Sequence, residues 1–339
     1  YYTDSDRTTL SGDSSFVDVT PSNLTGSGTG AEPYVITNAS ELQAMEDDLD
    51  AHYILESDVD ASNTFYWNNQ SGFSPIGGDP TNLNMPFTGS LNGNGHTIDN
   101  LTISRSYTNE IGLFTWTEES SRIIDLNLNS VTINGSSEVA GLVAENQGEI
   151  IDVSVSGKIS GSGSVAGLVA SNGDLGTINT SSVTATVSGT GNTIGGITAS
   201  NDGKIKYSSS NGDINGDMST STNGSNYVGG LVGLNQGQII SSSTDSHINA
   251  RYTVGGLAGW NIRGKIINST AHGSVTGSTE YIGGLVGRNQ NATITNSFAD
   301  TNVSGSLDVG GLVGSNREDS VIRRSSANST INETSQIGI

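Results

Sequence analysis

From about residue 87 onward, the apolar residues fall in runs of two or three, broken by Gly, Asn, Ser and Asp, and the runs recur. The clearest phrase is Val228-Gly229-Gly230-Leu231-Val232-Gly233. It returns at Ile282–Gly287 and Val309–Gly314, and at Val254–Gly259 with Ala258 in the Val place. Looser copies stand at Val139–Ala144, Val165–Ala170 and Ile194–Ala199, with a divergent first copy at Ile111–Thr115. The second glycine of each phrase (Gly112, Gly141, Gly167, Gly196, Gly230, Gly256, Gly284, Gly311) recurs in steps of 29, 26, 29, 34, 26, 28 and 27. A period in this range marks a solenoid or array.

More columns share the period. Asn follows each marker glycine by five residues: Asn146, Asn172, Asn201, Asn235, Asn261, Asn289 and Asn316, with Thr117 in the divergent copy. An Ile comes next (Ile150, Ile178, Ile205, Ile239, Ile266, Ile294, Ile322). Three residues later stands Ser in six copies: Ser181, Ser208, Ser242, Ser269, Ser297 and Ser325. Runs this short between turn signals read as strands, about three per coil of about 27 residues. One such coil cannot bury its own apolar side. Stacked at about 4.8 Å, successive coils form parallel sheets whose inward residues line up in ladders. The expected fold is all-β, a parallel β-solenoid (β-helix) of about eight to ten coils, right-handed by the crossover rule. The Asn column is expected at a corner, both because Asn tolerates left-handed φ and because stacked amides can bond along the axis.

The first part of the chain lacks the period and sets the domain boundaries. Residues 1–30 are Ser, Thr, Asp and Gly rich, an N-terminal arm or linker whose run Phe16–Thr20 can add as a strand to a neighbour's edge. Residues 31–86 read as an N-terminal cap and irregular first coil. Ser40 is placed as the N-cap of an amphipathic helix ending near Asp50, and the strand Tyr53–Leu55 follows. Such a cap covers the end coil, whose amides and core would otherwise be open. Residues 87–339 form the repeat solenoid. The chain stops at Ile339, where the next glycine phrase is due, which predicts continuation or stacking on a like subunit beyond that point.

Composition agrees with a thin solenoid: 6% aromatic and 32% hydrophobic residues but 46 Gly among 339. With no Cys, disulfides and thiolate metal sites are excluded. The net charge of −21, from 34 acids against 13 Lys and Arg, excludes nucleic acid and anionic membrane as natural partners and fits a high-salt habitat. No apolar run approaches the roughly 20 residues of a membrane span.

Candidate chemistry is sparse. The four His (His52, His96, His247, His272) are scattered. Asp58 and Asp60, two apart on a strand, share one side and are the candidate calcium ligands; no other cofactor is expected. Arg317, Arg323 and Arg324, with Arg263 and Lys265, form a basic group expected to pair with Glu318 or Asp319 or to meet a glycan. Asn-x-Ser/Thr triplets begin at Asn23, Asn38, Asn69, Asn100, Asn134, Asn179, Asn223, Asn268, Asn291, Asn302, Asn328 and Asn332, the candidate N-glycosylation sites. A chain with 34 Asn and abundant Ser and Thr gives nearly that many by composition alone. No nucleophile constellation or phosphate loop stands out, so no catalytic residue is assigned.

A resemblance adds to these readings. Tyr53, Leu55, Asp58 and Asp60, then Pro75-Ile76-Gly77, Phe87-Thr88-Gly89, Gly93-Asn94-Gly95-His96-Thr97-Ile98 and the repeated Gly-Leu-x-Gly are similar to GLUG-motif repeat proteins. The resemblance covers residues 34–339. It implies a secreted or cell-surface protein: a non-enzymatic stalk, adhesin or filament subunit whose partners are like subunits or a surface glycan. It also leaves open a glycan-binding or glycan-cleaving β-helix and the stalk of a larger surface protease.

Overall fold

The computed structural model describes residues 23–77, 85–218 and 226–333. The arm's first 22 residues, with its strand-like run, lie outside the described residues, as do Asn223 and the last six positions.

The strands form three parallel sheets of 22, 8 and 6 strands among the described residues. One coil shows the plan. Val254–Gly255 lies in the six-stranded sheet, Ala258–Ile262 in the eight-stranded one, and Lys265–Ile267 and Thr270–Gly277 in the largest. In the next coil the partners are Ile282, Val286, Thr293 and Phe298. From Val165 onward each coil therefore meets three sheets, with two or three strand segments in the largest. The fold is the parallel β-solenoid that the repeat implies.

The core is a set of stacked columns. Leu142, Leu168, Ile197, Leu231, Leu257 and Leu285 are fully buried, as are Ile150, Ile178, Ile205, Ile239, Ile266 and Ile294. The glycine phrase is the crease between the two smaller sheets. A Cβ on Gly255 would lie 1.9 Å from the Ala258 carbonyl oxygen, and one on Gly256 2.0 Å from the Gly284 oxygen. Neither position admits a side chain, so the phrase repeats because the walls touch there.

The turn between successive segments of the largest sheet is made two residues after each Ile. Asp125, Asp152, Thr180, Tyr207, Ser241, Asn268, Asn296 and Arg324 all adopt φ between 49° and 52°. The left-handed corner is thus here, and none of the seven ladder asparagines has positive φ. That corrects the expectation that Asn serves the corner through its backbone; its side chain does the work.

At the start, Tyr34–Ile36 pairs with His52–Leu55, which pairs with Ser90–Asn92, so the largest sheet already runs through residues 31–86. The helix is shorter and begins earlier than expected: Ala39–Gln43, continued by a 3-10 turn to Asp47. Its N-cap is Asn38 rather than Ser40. The Asn38 side chain accepts from the Ser40 and Glu41 amides, and the Glu41 carboxylate reaches back to the Thr37 amide at 2.6 Å. No helix among the described residues is long and apolar enough to cross a membrane.

Candidate functional site

The strongest side-chain array is the Asn column. Nδ2 of Asn146 donates to Oδ1 of Asn172, and the relay continues through Asn201, Asn235, Asn261, Asn289 and Asn316 at 2.7–2.8 Å. Thr117 of the divergent coil opens it by donating from Oγ1 to Asn146 at 2.8 Å. All but the last Asn are buried. Glycine stands beside the amide in five coils, at Gly148, Gly176, Gly203, Gly237 and Gly264, where a Cβ on Gly264 would lie 2.4 Å from Asn235 Nδ2, and Ala292 takes the place in the Asn289 coil. Beside it runs a second array. Each ladder Ser donates to the carbonyl two residues before it and accepts a backbone N–H from the preceding coil, as Ser208 does with Lys206 and Ser181. This closes the backbone at the left-handed corner without water.

Asp58 and Asp60 are both exposed and flank the buried Val59. Asp58 Oδ1 accepts the Thr97 amide at 2.9 Å and lies 3.3 Å from His96 Nδ1. Asp60 accepts the Ser62 amide at 3.0 Å, which holds its carboxyl below the usual range. Both are thus engaged by the chain itself. Among the described residues no three His, Asp or Glu side chains gather as metal ligands. His52, His247 and His272 stay apart from that pair: His52 meets Ser90 and His247 meets Ser274, while His272 stacks between Asp245 and Asp300 in register.

The basic group does not assemble as expected. Glu318 accepts from the Gln290 and Asn291 side chains, while Arg317 donates to Ser315 at 2.9 Å and to the Tyr281 hydroxyl at 2.9 Å. Instead, the outer face carries an aromatic–guanidinium stack along the axis. The Tyr227 and Trp260 rings lie 4.9 Å apart, Arg288 sits 4.8 Å from Trp260 and 5.7 Å from Tyr281, and Arg317 covers Tyr281 at 4.9 Å. Trp260 and Arg288 share one register column with Leu234 and Ser315, but the residue type changes at each coil, so the stack could not be read from the period.

On the same solenoid, toward the N-terminus, Glu110, Glu138 and Glu145 interact. Burial, with the neighbouring Glu110 and Glu138 charges, pushes the Glu145 carboxyl up; burial and the Glu138 charge do the same to Glu110.

Of the candidate glycosylation positions, Asn23, Asn38, Asn69, Asn100, Asn268, Asn291, Asn302, Asn328 and Asn332 are exposed, and Asn134 and Asn179 are half-buried.

The fold and its amide rails define a class, a parallel β-solenoid of repeated coils. Within that class, the chain carries GLUG repeats: the model described as the GLUG motif matches residues 250–276 and 278–304. Halomucin of Haloquadratum walsbyi is 36% identical over 141 residues, which is 40% of this chain and 2% of that protein. A protein of Evansella cellulosilytica whose name describes a Gly-rich membrane protein is 34% identical over 135 residues, 38% of this chain and 15% of that one. A solved structure titled IgA1 Protease superposes with a TM-score of 0.53 at 18% identity, over 90% of this chain and 22% of that chain. That last likeness is one of fold.

Proposed function

We propose that this chain is a non-enzymatic structural segment of an extracellular or cell-surface protein, a stalk, adhesin or filament element. The observation that carries the reading is the continuous Asn relay from Thr117 to Asn316, which welds successive coils into one stiff rod. A rod of coils sets distance and presents its outer face. Two further observations support it: the −21 charge keeps such a rod soluble and fits concentrated salt, and one relative is named Halomucin. The organisation follows the same reading, with residues 1–30 as arm, 31–86 as cap and irregular first coil, and 87–339 as solenoid. Its partners are like subunits or a surface glycan, and the exposed triplet asparagines other than Asn69 serve as its glycosylation sites. The test is surface biotinylation and immunogold labelling of intact source cells. Labelling of the envelope or of shed material is expected; a signal confined to the lysed interior would overturn the proposal.

A further inference from the structure

One stretch stands outside the repeat and, unlike the uncharged runs 175–201 and 218–244 within it, is rich in aromatic side chains. Residues 61–77 contain no Asp, Glu, Lys or Arg in a chain of net charge −21, and they hold four aromatics with five Asn, Gln or Thr side chains. We infer that this loop is a binding platform for a neutral oligosaccharide, with Phe65 and Tyr66 as its stacking rings and Asn69 and Gln70 as its amide clamps.

The geometry of the rings comes first. Phe65 and Tyr66 are 51% and 60% exposed, and they meet edge to face with centroids 5.1 Å apart at 90°. Isolated exposed aromatics need no explanation, but two adjacent ones at a right angle make a corner. The electron-rich face of such a ring attracts the C–H bonds of a pyranose, as it attracts other positive edges. Sugars without charge gain this contact without a counter-ion, and the platform offers none.

The second observation is the backbone. Asn68, Asn69 and Gln70 take φ of 51°, 55° and 67° in succession. Three left-handed non-glycine residues in a row are unfavourable, and such strain persists only where the surroundings enforce it. Asn68 accounts for its own share by donating to the Gly72 oxygen at 2.8 Å. The Asn69 and Gln70 side chains make no hydrogen bond to the described residues and are exposed, so the turn leaves two planar amides open to solvent three and four residues after Tyr66. A primary amide offers a donor and an acceptor side by side, the pattern that vicinal sugar hydroxyls complement.

The third is the underside, which fixes the platform. Thr64, fully buried, accepts the Thr102 amide at 2.9 Å and donates to Ala61 at 2.6 Å. Gln43 grips Ser74 through both its amide nitrogen and its oxygen, and Trp67 stacks on the buried Phe73. The backbone that bears the rings and amides is therefore fixed before any ligand arrives, which lowers the ordering cost of binding. The proposal concerns what the surface recognises; the rod reading concerns where the protein works, and each can fail alone.

The test uses the full chain produced without glycosylation. Neutral oligosaccharides (gluco-, galacto- and manno-oligosaccharides) are screened on an array and hits are measured by calorimetry. Saturable binding is expected, unchanged between 0.15 and 1 M NaCl as for any uncharged contact (about 8 and 3 Å Debye lengths). The Phe65→Ala/Tyr66→Ala double variant should bind at least tenfold more weakly with an unaltered circular dichroism spectrum and melting temperature. Tyr107→Ala, which removes a fully exposed ring elsewhere, should bind as the parent does. Failure to bind any neutral sugar at millimolar concentration overturns the inference. So do hits confined to acidic glycans that salt elutes, retained binding in the double variant, or self-association that the double variant abolishes in place of sugar binding. A hexose found on Asn69 of the native protein by peptide mass mapping also overturns it, because the platform would then carry its own glycan.

Discussion

Replacing Asn235 by Ala removes the centre of the amide relay, and its cost follows from the partners left behind. Asn235 Oδ1 accepts from Asn201 Nδ2 at 2.8 Å, and Asn235 Nδ2 donates to Asn261 Oδ1 at 2.7 Å. All three residues are fully buried. The substitution leaves one donor hydrogen on Asn201 and one acceptor on Asn261 with nothing to meet. An orphaned buried polar group costs about 1–3 kcal/mol, so two give about 2–6. Asn201 Nδ2 keeps a long contact to the Gly203 oxygen at 3.5 Å, which places the expectation toward the lower half, about 3 kcal/mol. The end of the rail provides the internal control. Asn316 is exposed and its truncation orphans only Asn289 Nδ2, so Asn316→Ala should cost about 1 kcal/mol or less. Thermal melting followed by far-ultraviolet circular dichroism reads both, at about 2 °C per kcal/mol for a long chain. Asn235→Asp sharpens the test, since its carboxylate would face the Asn261 oxygen; acidification, by restoring a donor, should recover part of the loss. An Asn235→Ala protein that melts with the parent would refute the view that the rail holds the coils together.

Three further outcomes follow from the same geometry. Gly229→Ala places a Cβ 2.0 Å from the Val232 oxygen and should cost about 3 kcal/mol or prevent folding, as judged by urea titration. Thr180→Asn at the exposed left-handed corner (φ 50°) should raise stability by about 1 kcal/mol, because a β-branched residue is poorly suited to that conformation and Asn tolerates it. The Glu110–Glu145 group sets a pH dependence. Both carboxyls have folded values above their unfolded ones, so their contribution is whole below about pH 4 and is lost as pH rises through the folded range. Glu145→Gln should therefore stabilise the protein at pH 7 and in low salt but not at pH 4; equal effects at both pH values would refute it.

What the sequence made legible was whatever an in-register parallel stack forces to repeat. A buried amide that bonds its own copy in the next coil must be Asn every time, and the Asn column from Asn146 to Asn316 is accordingly unbroken. The Ser column is nearly as clear for the same reason. The corner itself was hidden, since Asp152, Thr180, Tyr207 and Arg324 share only a backbone angle, and an exposed position places no demand on the side chain. Outward-facing features were equally hidden. Trp260 and Arg288 stack on neighbours in adjoining coils, and nothing requires the same pair to recur. In residues 61–77 no period exists at all, so the left-handed run of Asn68, Asn69 and Gln70 could not be anticipated from spacing.

The glycine phrase also explains its own exceptions. Its first glycine is Ala140 and Ala166 in the early coils and Gly from Gly195 onward, whereas its last is Ala144, Ala170 and Ala199 and becomes Gly only at Gly233. The two switches are offset by one coil, and so is the packing. A Cβ on Gly195 would lie 2.9 Å from the Gly233 amide, one on Gly229 2.8 Å from Gly259, and one on Gly283 2.8 Å from Gly314. The six-stranded sheet of one coil thus rests on the eight-stranded sheet of the next. Where the walls carry alanine, as at Ala166 and Ala199, both partners do; where one wall becomes glycine at Gly195, so does the wall it meets at Gly233. The change from Ala to Gly is therefore made on both sides of the contact at once. The later coils, those with glycine on both walls, are also the ones that bear the outer stack of Tyr227, Trp260, Arg288, Tyr281 and Arg317.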